Sequence, residues 1–208
     1  MGWWPGDTPD EIIIGAILTQ QASWKNAEKA ISNLREAGLL SLAKIRSERL
    51  SALQKQIKPS GFYRQKAGRL KSFSKHLFSN YGSLDEMFEM RLPELRAELL
   101  SINGIGNETA DSILLYAACR KVFVVDAYTK RIMSRIYGTD EGIDYCKLQA
   151  FISSKIDSSL ELYQDFHAQF VELGKNYCKT KPLCNGCPVN NVSGKSHAIH
   201  GWDDSEPL

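Results

Sequence analysis

An all-helical fold is expected for this chain of 208 residues, from three observations. Apolar residues recur at steps of three and four, as in Leu50, Leu53, Ile57 and in Leu92, Leu95, Leu99. Alternating β-branched residues are nearly absent, and helix-start signals recur along the chain. The length suits one domain or two small ones with a real core.

Each element follows from local signals. Thr8-Pro9-Asp10-Glu11 offers a cap, a first-turn proline and a capping-box acid, opening a helix that runs to about Gln20. A second helix is expected from about 23 to 37, closed by Gly38, with others over 41–56, 64–79, 83–90, 93–101 and 107–119. Ser83-Leu84-Asp85-Glu86 is a further capping box and Pro93 a further N-terminal proline. The apolar run Val122–Val125 reads as the one strand-like segment, followed by helices over 127–136, 145–155 and 161–177. Beyond Cys187 the chain is polar, rich in Asn, Ser, Gly and His, and reads as loop.

Composition bounds the function. Hydrophobic residues at 43% exclude a disordered chain. The longest apolar stretch, Ile12–Leu18, is interrupted by Gly15 and falls far short of the roughly 20 residues of a membrane span, so no membrane role is expected. The chain opens without a signal-peptide pattern, and its five Cys are an odd number in a chain that needs no disulfides, which points to a reducing, cytoplasmic setting (the nucleoid in a prokaryote). A monomer is expected. The net charge of +2 decides nothing about nucleic acid, because a basic face can coexist with it.

Two elements carry chemistry. In Leu99-Leu100-Ser101-Ile102-Asn103-Gly104-Ile105-Gly106-Asn107-Glu108-Thr109-Ala110, two glycines flank one apolar residue between two helices. Glycine lets backbone approach a phosphate and present N–H groups at a helix start, and Ile105 can plug between the helices. An ordinary helix–helix turn is the plain alternative. Twenty residues after Gly106, Val124-Val125-Asp126-Ala127 puts an acid at a helix start, where the plain alternative is an N-cap.

Together these elements resemble the helix-hairpin-helix DNA glycosylases of the endonuclease III superfamily. Leu18-Thr19-Gln20-Gln21-Ala22 and Gly61-Phe62-Tyr63-Arg64-Gln65-Lys66-Ala67 extend the resemblance over most of the chain. It implies a two-lobed fold: residues 12–119 a helical barrel domain with the hairpin, residues 1–11 and 120–190 a second helical domain with the catalytic acid and a cysteine cluster, and 191–208 a polar tail. Double-stranded DNA with a damaged, flipped base would lie between the lobes. The hairpin residues Gly104, Ile105, Gly106 and Thr109 would grip DNA, Gln21 would fill the gap left by the base, and Phe62 would wedge into the opposite strand unless it is a core aromatic. Asp126 would be the catalytic residue.

Bifunctional members carry a Lys where this chain has Glu108. A carboxylate cannot form an imine, so the resemblance implies hydrolysis without lysine-dependent AP lyase activity. Glu108 is either a solvated helix residue or a contact to a cationic base. Gly2-Trp3-Trp4-Pro5-Gly6 and Trp24 look like the 3-methyladenine branch, in which Trp3, Trp4, Pro5 and Trp24 would line the base pocket; core packing is the alternative.

Cys178, Cys184 and Cys187 read C-x5-C-x2-C, close to the family's [4Fe-4S] loop. Ser193 stands at the place of the fourth ligand, and Ser193, His197 or a nonprotein ligand could complete the set; zinc or an empty vestige are the alternatives. Cys119 and Cys146 are expected as buried structural thiols. The leading expectation is thus a monofunctional glycosylase for 3-methyladenine or a related alkylated purine in base excision repair. The competing ones are an endonuclease III-like or adenine-mismatch glycosylase and a noncatalytic DNA-binding module.

Overall fold

The computed structural model describes Trp4 and residues 6–157 and 159–190; Trp3, Pro5, Ser193 and His197, named above, lie outside them. The described residues are helical with no strand, and they divide into two compact units, one up to Arg120 and one from Lys121 onward. Residues 6–11, expected with the C-terminal half, belong to the first unit. Local bonds explain the difference: Asp10 accepts the Leu42 N–H at 2.6 Å, and Thr8 and Glu11 cap the helix that forms this unit's centre.

The first unit comprises α1 (Pro9–Leu18), α2 (Trp24–Glu36), α3 (Leu42–Ser47), α4 (Leu50–Gln56), α5 (Tyr63–Asn80), α6 (Leu84–Phe88), α7 (Leu92–Ser101) and α8 (Asn107–Ser112), the last continuing as a π-helical turn (Ile113–Ala117). In α1, Thr8 accepts the Glu11 N–H at 3.3 Å, while the Glu11 carboxylate takes the Asp7 N–H at 3.0 Å. Every residue from Ile13 to Leu18 is buried, as befits a helix covered on all sides, with α2, α5 and α8 packed around it. The helix expected over 41–56 is broken in two. Glu48 and Arg49 are extended, the Glu48 carboxylate accepts the Arg49 N–H at 2.7 Å, and the Lys71 ammonium caps the Arg46 and Glu48 carbonyls, so the groups freed by the break are satisfied.

The second unit contains α9 (Ala127–Tyr137), α10 (Tyr145–Lys155) and α11 (Leu160–Asn176). The expected strand at 122–125 is a buried segment without a ladder. Side chains of α10 replace the strand partner: Gln149 donates to the Phe123 carbonyl at 2.5 Å, and the Val125 N–H donates to the Tyr145 hydroxyl at 3.3 Å. Helices α9 and α11 run side by side, and a Cβ at Gly174 would collide with the Tyr128 ring, so the close approach depends on that glycine. Cys119 and Cys146 are exposed, contrary to expectation, and the five cysteines form no disulfide. Cys146 stands in the first turn of α10, its N–H held by Asp144; Cys119 sits just after the π-helical turn with φ +51°. Among the described residues no helix is long and apolar enough to cross a membrane.

Candidate functional site

Asp126 is the N-cap of α9. The buried, extended segment before it delivers the acid to the helix start, where Oδ1 accepts the Thr129 N–H at 2.7 Å and the Thr129 hydroxyl at 2.8 Å. Its other oxygen faces His167 of α11, with Nε2 to Oδ2 at 3.7 Å. Asp126 is 8% exposed and His167 3%. Burial works to raise the carboxyl pKa, but His167 beside it and the two Thr129 donors outweigh burial and hold the group below its ordinary value. The result is a fixed carboxylate, ionised at neutral pH, with one oxygen committed to its helix. The N-cap reading and the chemical reading of Asp126 are therefore compatible. His167 carried no sequence signal, because it lies within an amphipathic helix 41 positions away.

The hairpin is built as a tight turn. The Ile105 N–H donates to the Ile102 carbonyl at 3.0 Å, and Ile105 is 5% exposed, plugged between α7 and α8. Gly104 has φ +89°, and a Cβ there would strike the Arg69 side chain; Gly106 is exposed, with open space where its Cβ would be. Arg96 of α7 clamps α8 through a bidentate pair with buried Asp111 at 2.7 and 3.0 Å and a bond to Asn107 at 3.2 Å. Thr109, expected among the DNA contacts, is buried, and its hydroxyl accepts from Gln20 Nε2 at 2.8 Å. The same amide donates to the Gly104 carbonyl at 3.1 Å, and Gln20 in turn accepts from Arg69. Gln20 and Arg69, to which the sequence assigned no role at the site, thus moor the hairpin to α1 and α5.

Two exposed polar or aromatic residues of this unit stand in strained backbone. Gln21 has φ +50° and Phe62 φ +45°, a region side chains other than glycine rarely adopt. Phe62 is 57% exposed at the start of α5, so it is not a core residue. Strain persists only where surrounding structure enforces it. Lys66, one turn into α5, does so here: fully buried, it donates to the Leu18 carbonyl at 2.8 Å and the Ser60 carbonyl at 2.6 Å, tying the segment before Phe62 to the end of α1. Burial, and after it the Arg69 charge, pushes the Lys66 amine down to about 8.

Trp4 and Trp24 form an aromatic cluster with Tyr116. The Trp4 ring stacks on Tyr116 at 4.9 Å and meets Trp24 edge-on at 6.2 Å, and both tryptophans are only half-buried. Tyr116 is set by the π-helical turn, an irregularity that no propensity rule announces. Glu108 is exposed on the first turn of α8, two residues beyond Gly106.

Cys178, Cys184 and Cys187 follow α11 and are half-buried. Arginines of α9 hold their loop: Arg131 donates to the Cys178 carbonyl at 2.7 Å, and Arg135 to the Lys179 carbonyl at 2.6 Å and to Cys178 Sγ at 3.3 Å. Three thiols suit iron–sulfur chemistry in kind but are one short of a four-ligand set, and among the described residues no three metal-binding groups are drawn together.

Residues 14–157 match the family model for HhH-GPD superfamily base excision DNA repair proteins. A Methanocaldococcus jannaschii protein provisionally named a DNA repair glycosylase is 48% identical over 189 residues, covering 90% of this chain and 86% of its own length. Endonuclease III of Thermotoga maritima is 31% identical over 188 residues, 88% of this chain and 81% of that protein. Among solved structures, the H. pylori 3-methyladenine DNA glycosylase MagIII bound to 1,N6-ethenoadenine superposes with a TM-score of 0.71 at 32% identity, covering 84% of this chain and 89% of that one. With the hairpin, the capping aspartate and the helical fold in place, the chain belongs to the HhH-GPD superfamily of base excision DNA repair proteins.

Proposed function

We propose that the protein is a monofunctional DNA glycosylase that hydrolyses the N-glycosidic bond of 3-methyladenine or a related alkylated purine in double-stranded DNA. The observation that carries this reading is Asp126, a buried carboxylate fixed by Thr129, facing His167 and held ionised, in a chain whose hairpin has Glu108 where an amine nucleophile would stand. As the base departs, its glycosidic electron pair leaves with it and the sugar gains oxocarbenium character. The Asp126 carboxylate stabilises that charge and takes a proton from the water whose oxygen bonds to the sugar carbon. The products are a free base and an intact abasic site.

Substrate choice follows from leaving-group chemistry. Neutral adenine departs poorly without protonation by an acid, whereas N3-methylation makes the base cationic, and it departs as a neutral molecule. One essential carboxylate therefore suffices. The Trp4, Trp24 and Tyr116 cluster offers electron-rich faces to such an electron-poor ring, each stack contributing about 1–3 kcal/mol, and Glu108 adds a negative charge. The similarity to the 3-methyladenine glycosylase supports the same assignment.

Exposed Phe62 and Gln21, both in strained backbone, are assigned to the opposite strand and to the gap left by the flipped base. Gly104 and Gly106 are assigned to close contact with a phosphate. A [4Fe-4S] cluster on Cys178, Cys184 and Cys187, completed by a ligand outside the described residues, is part of the proposal and would serve as a scaffold for the loop that Arg131 and Arg135 hold. The test is a panel of duplexes, each with one defined lesion, scored for free-base release. Release of 3-methyladenine far above normal adenine is expected, and excision of oxidised pyrimidines in its place would overturn the substrate assignment.

A further inference from the structure

We propose that His167 is a positioning residue for Asp126, fixing the carboxylate rotamer and holding Oδ2 as the oxygen turned to the reaction. This rests on the reading of Asp126 as the carboxylate of the glycosylase. The two Asp126 oxygens have different surroundings. Oδ1 is saturated by two Thr129 donors at 2.7 and 2.8 Å, both on its own helix, whereas Oδ2 has the imidazole of another helix at 3.7 Å. Thr129 alone would leave the plane of the carboxylate free to tilt about its cap. The imidazole on the opposite side, at ion-pair distance from Oδ2, restrains that tilt.

The packing of α9 on α11 makes the imidazole's place rigid. His167 and Gly174 lie about two turns apart on α11, hence on one face. At Gly174 the missing side chain admits the Tyr128 ring, and its carbonyl accepts from Arg131 at 3.3 Å, while Arg131 also covers the Tyr128 ring at 5.2 Å. Asp126–His167, Tyr128–Gly174 and Arg131–Cys178 are thus three successive contacts of α9 and its cap with α11 and the loop that follows it. His167 at 3% exposure is otherwise an unusual tenant for that face. The neighbouring titratable and charged groups have other engagements: the Tyr145 hydroxyl of α10 takes the Val125 N–H, Arg131 of α9 bonds carbonyls of Gly174 and Cys178, and Tyr163 of α11 packs on Phe123.

The test titrates the Asp126 carboxyl carbon by 13C NMR in the full chain, assigned with Asp126→Asn, and compares wild type with His167→Gln and His167→Phe. Loss of the imidazole in His167→Phe should raise the Asp126 midpoint by about one pH unit or more, with His167→Gln intermediate because its amide donates without charge. In single-turnover base release, His167→Phe should lose about tenfold or more and His167→Gln should recover part of it, the acid limb of the pH profile moving with the NMR midpoint. An Asp126 midpoint identical in all three folded proteins overturns the proposal. The NMR arm reads the pair even in a protein that releases no base. A wild type inactive on every lesion therefore counts against the functional reading, and unchanged titration against the positioning role. Should His167→Phe not fold, the wild-type-to-Gln difference decides alone.

Discussion

Gln20 and Thr109 stand 89 positions apart in sequence and are joined by a 2.8 Å hydrogen bond from the amide to the buried hydroxyl. Because the same amide also holds the Gly104 carbonyl, the end of α1 and the hairpin form one rigid piece. Gln21, the next residue, is thereby fixed relative to the backbone that would meet a phosphate.

Gln20→Ala should cost about 1–2 kcal/mol of stability, since it leaves a carbonyl and a hydroxyl without their donor. It should also weaken binding to undamaged duplex. Urea unfolding and a fluorescence-anisotropy titration measure the two effects, and loss of one without the other would separate the hairpin's mooring from its DNA contact.

The role proposed for Phe62 on the opposite strand would account for its strained, exposed position. Phe62→Gly relieves a left-handed backbone at φ +45° and gives up little buried area, so stability should hold or rise by up to about 1 kcal/mol. Single-turnover base release should nevertheless fall about tenfold or more, equivalent to about 1.4 kcal/mol. Equal loss in stability and activity would mean the ring serves packing.

Lys66→Met removes the donor to two buried carbonyls and should destabilise by about 2–3 kcal/mol. The sign of its pH effect is fixed. The folded-state value near 8 lies below the ordinary 10.5, so between those values the unfolded chain binds the extra proton and this group's contribution to stability rises with pH. Wild type should gain stability from pH 8 toward 10.5 relative to Lys66→Met, as read by denaturant titration at each pH.

The local grammar of caps and glycines made much of this legible. Thr8, Ser83 and Asp126 cap because each is followed by a donor three residues on, and the hairpin needs only Gly104, Ile105 and Gly106. What escaped depends on distant partners. The run Val122–Val125 is buried and strand-like in pattern, yet Gln149 and Tyr145 satisfy its backbone, and nothing in its own residues announces that. The break at Glu48 has no glycine or proline to mark it, because the compensation comes from Lys71. His167, Tyr116 and Gln20 acquire their roles only once α11, the π-helical turn and α1 are in place.

The cysteine loop yields a separate expectation. Protein purified anaerobically should be brown and contain about four irons per chain, the complement of a [4Fe-4S] cluster. Cys184→Ala should bleach it and loosen the loop beside Arg135. Colourless protein, whether with zinc or without metal, removes the cluster from the proposal and leaves the glycosidic chemistry untouched.

The central claim is hydrolysis by Asp126 without an amine nucleophile, and the most direct measurement follows a duplex with a single 3-methyladenine under single-turnover conditions, with and without borohydride. Wild type should release the free base, leave an unbroken abasic strand and form no trapped protein–DNA adduct, and Asp126→Asn should be slower by at least about 100-fold while still binding the duplex. Efficient borohydride trapping, or excision of thymine glycol with 3-methyladenine left in place, would contradict it.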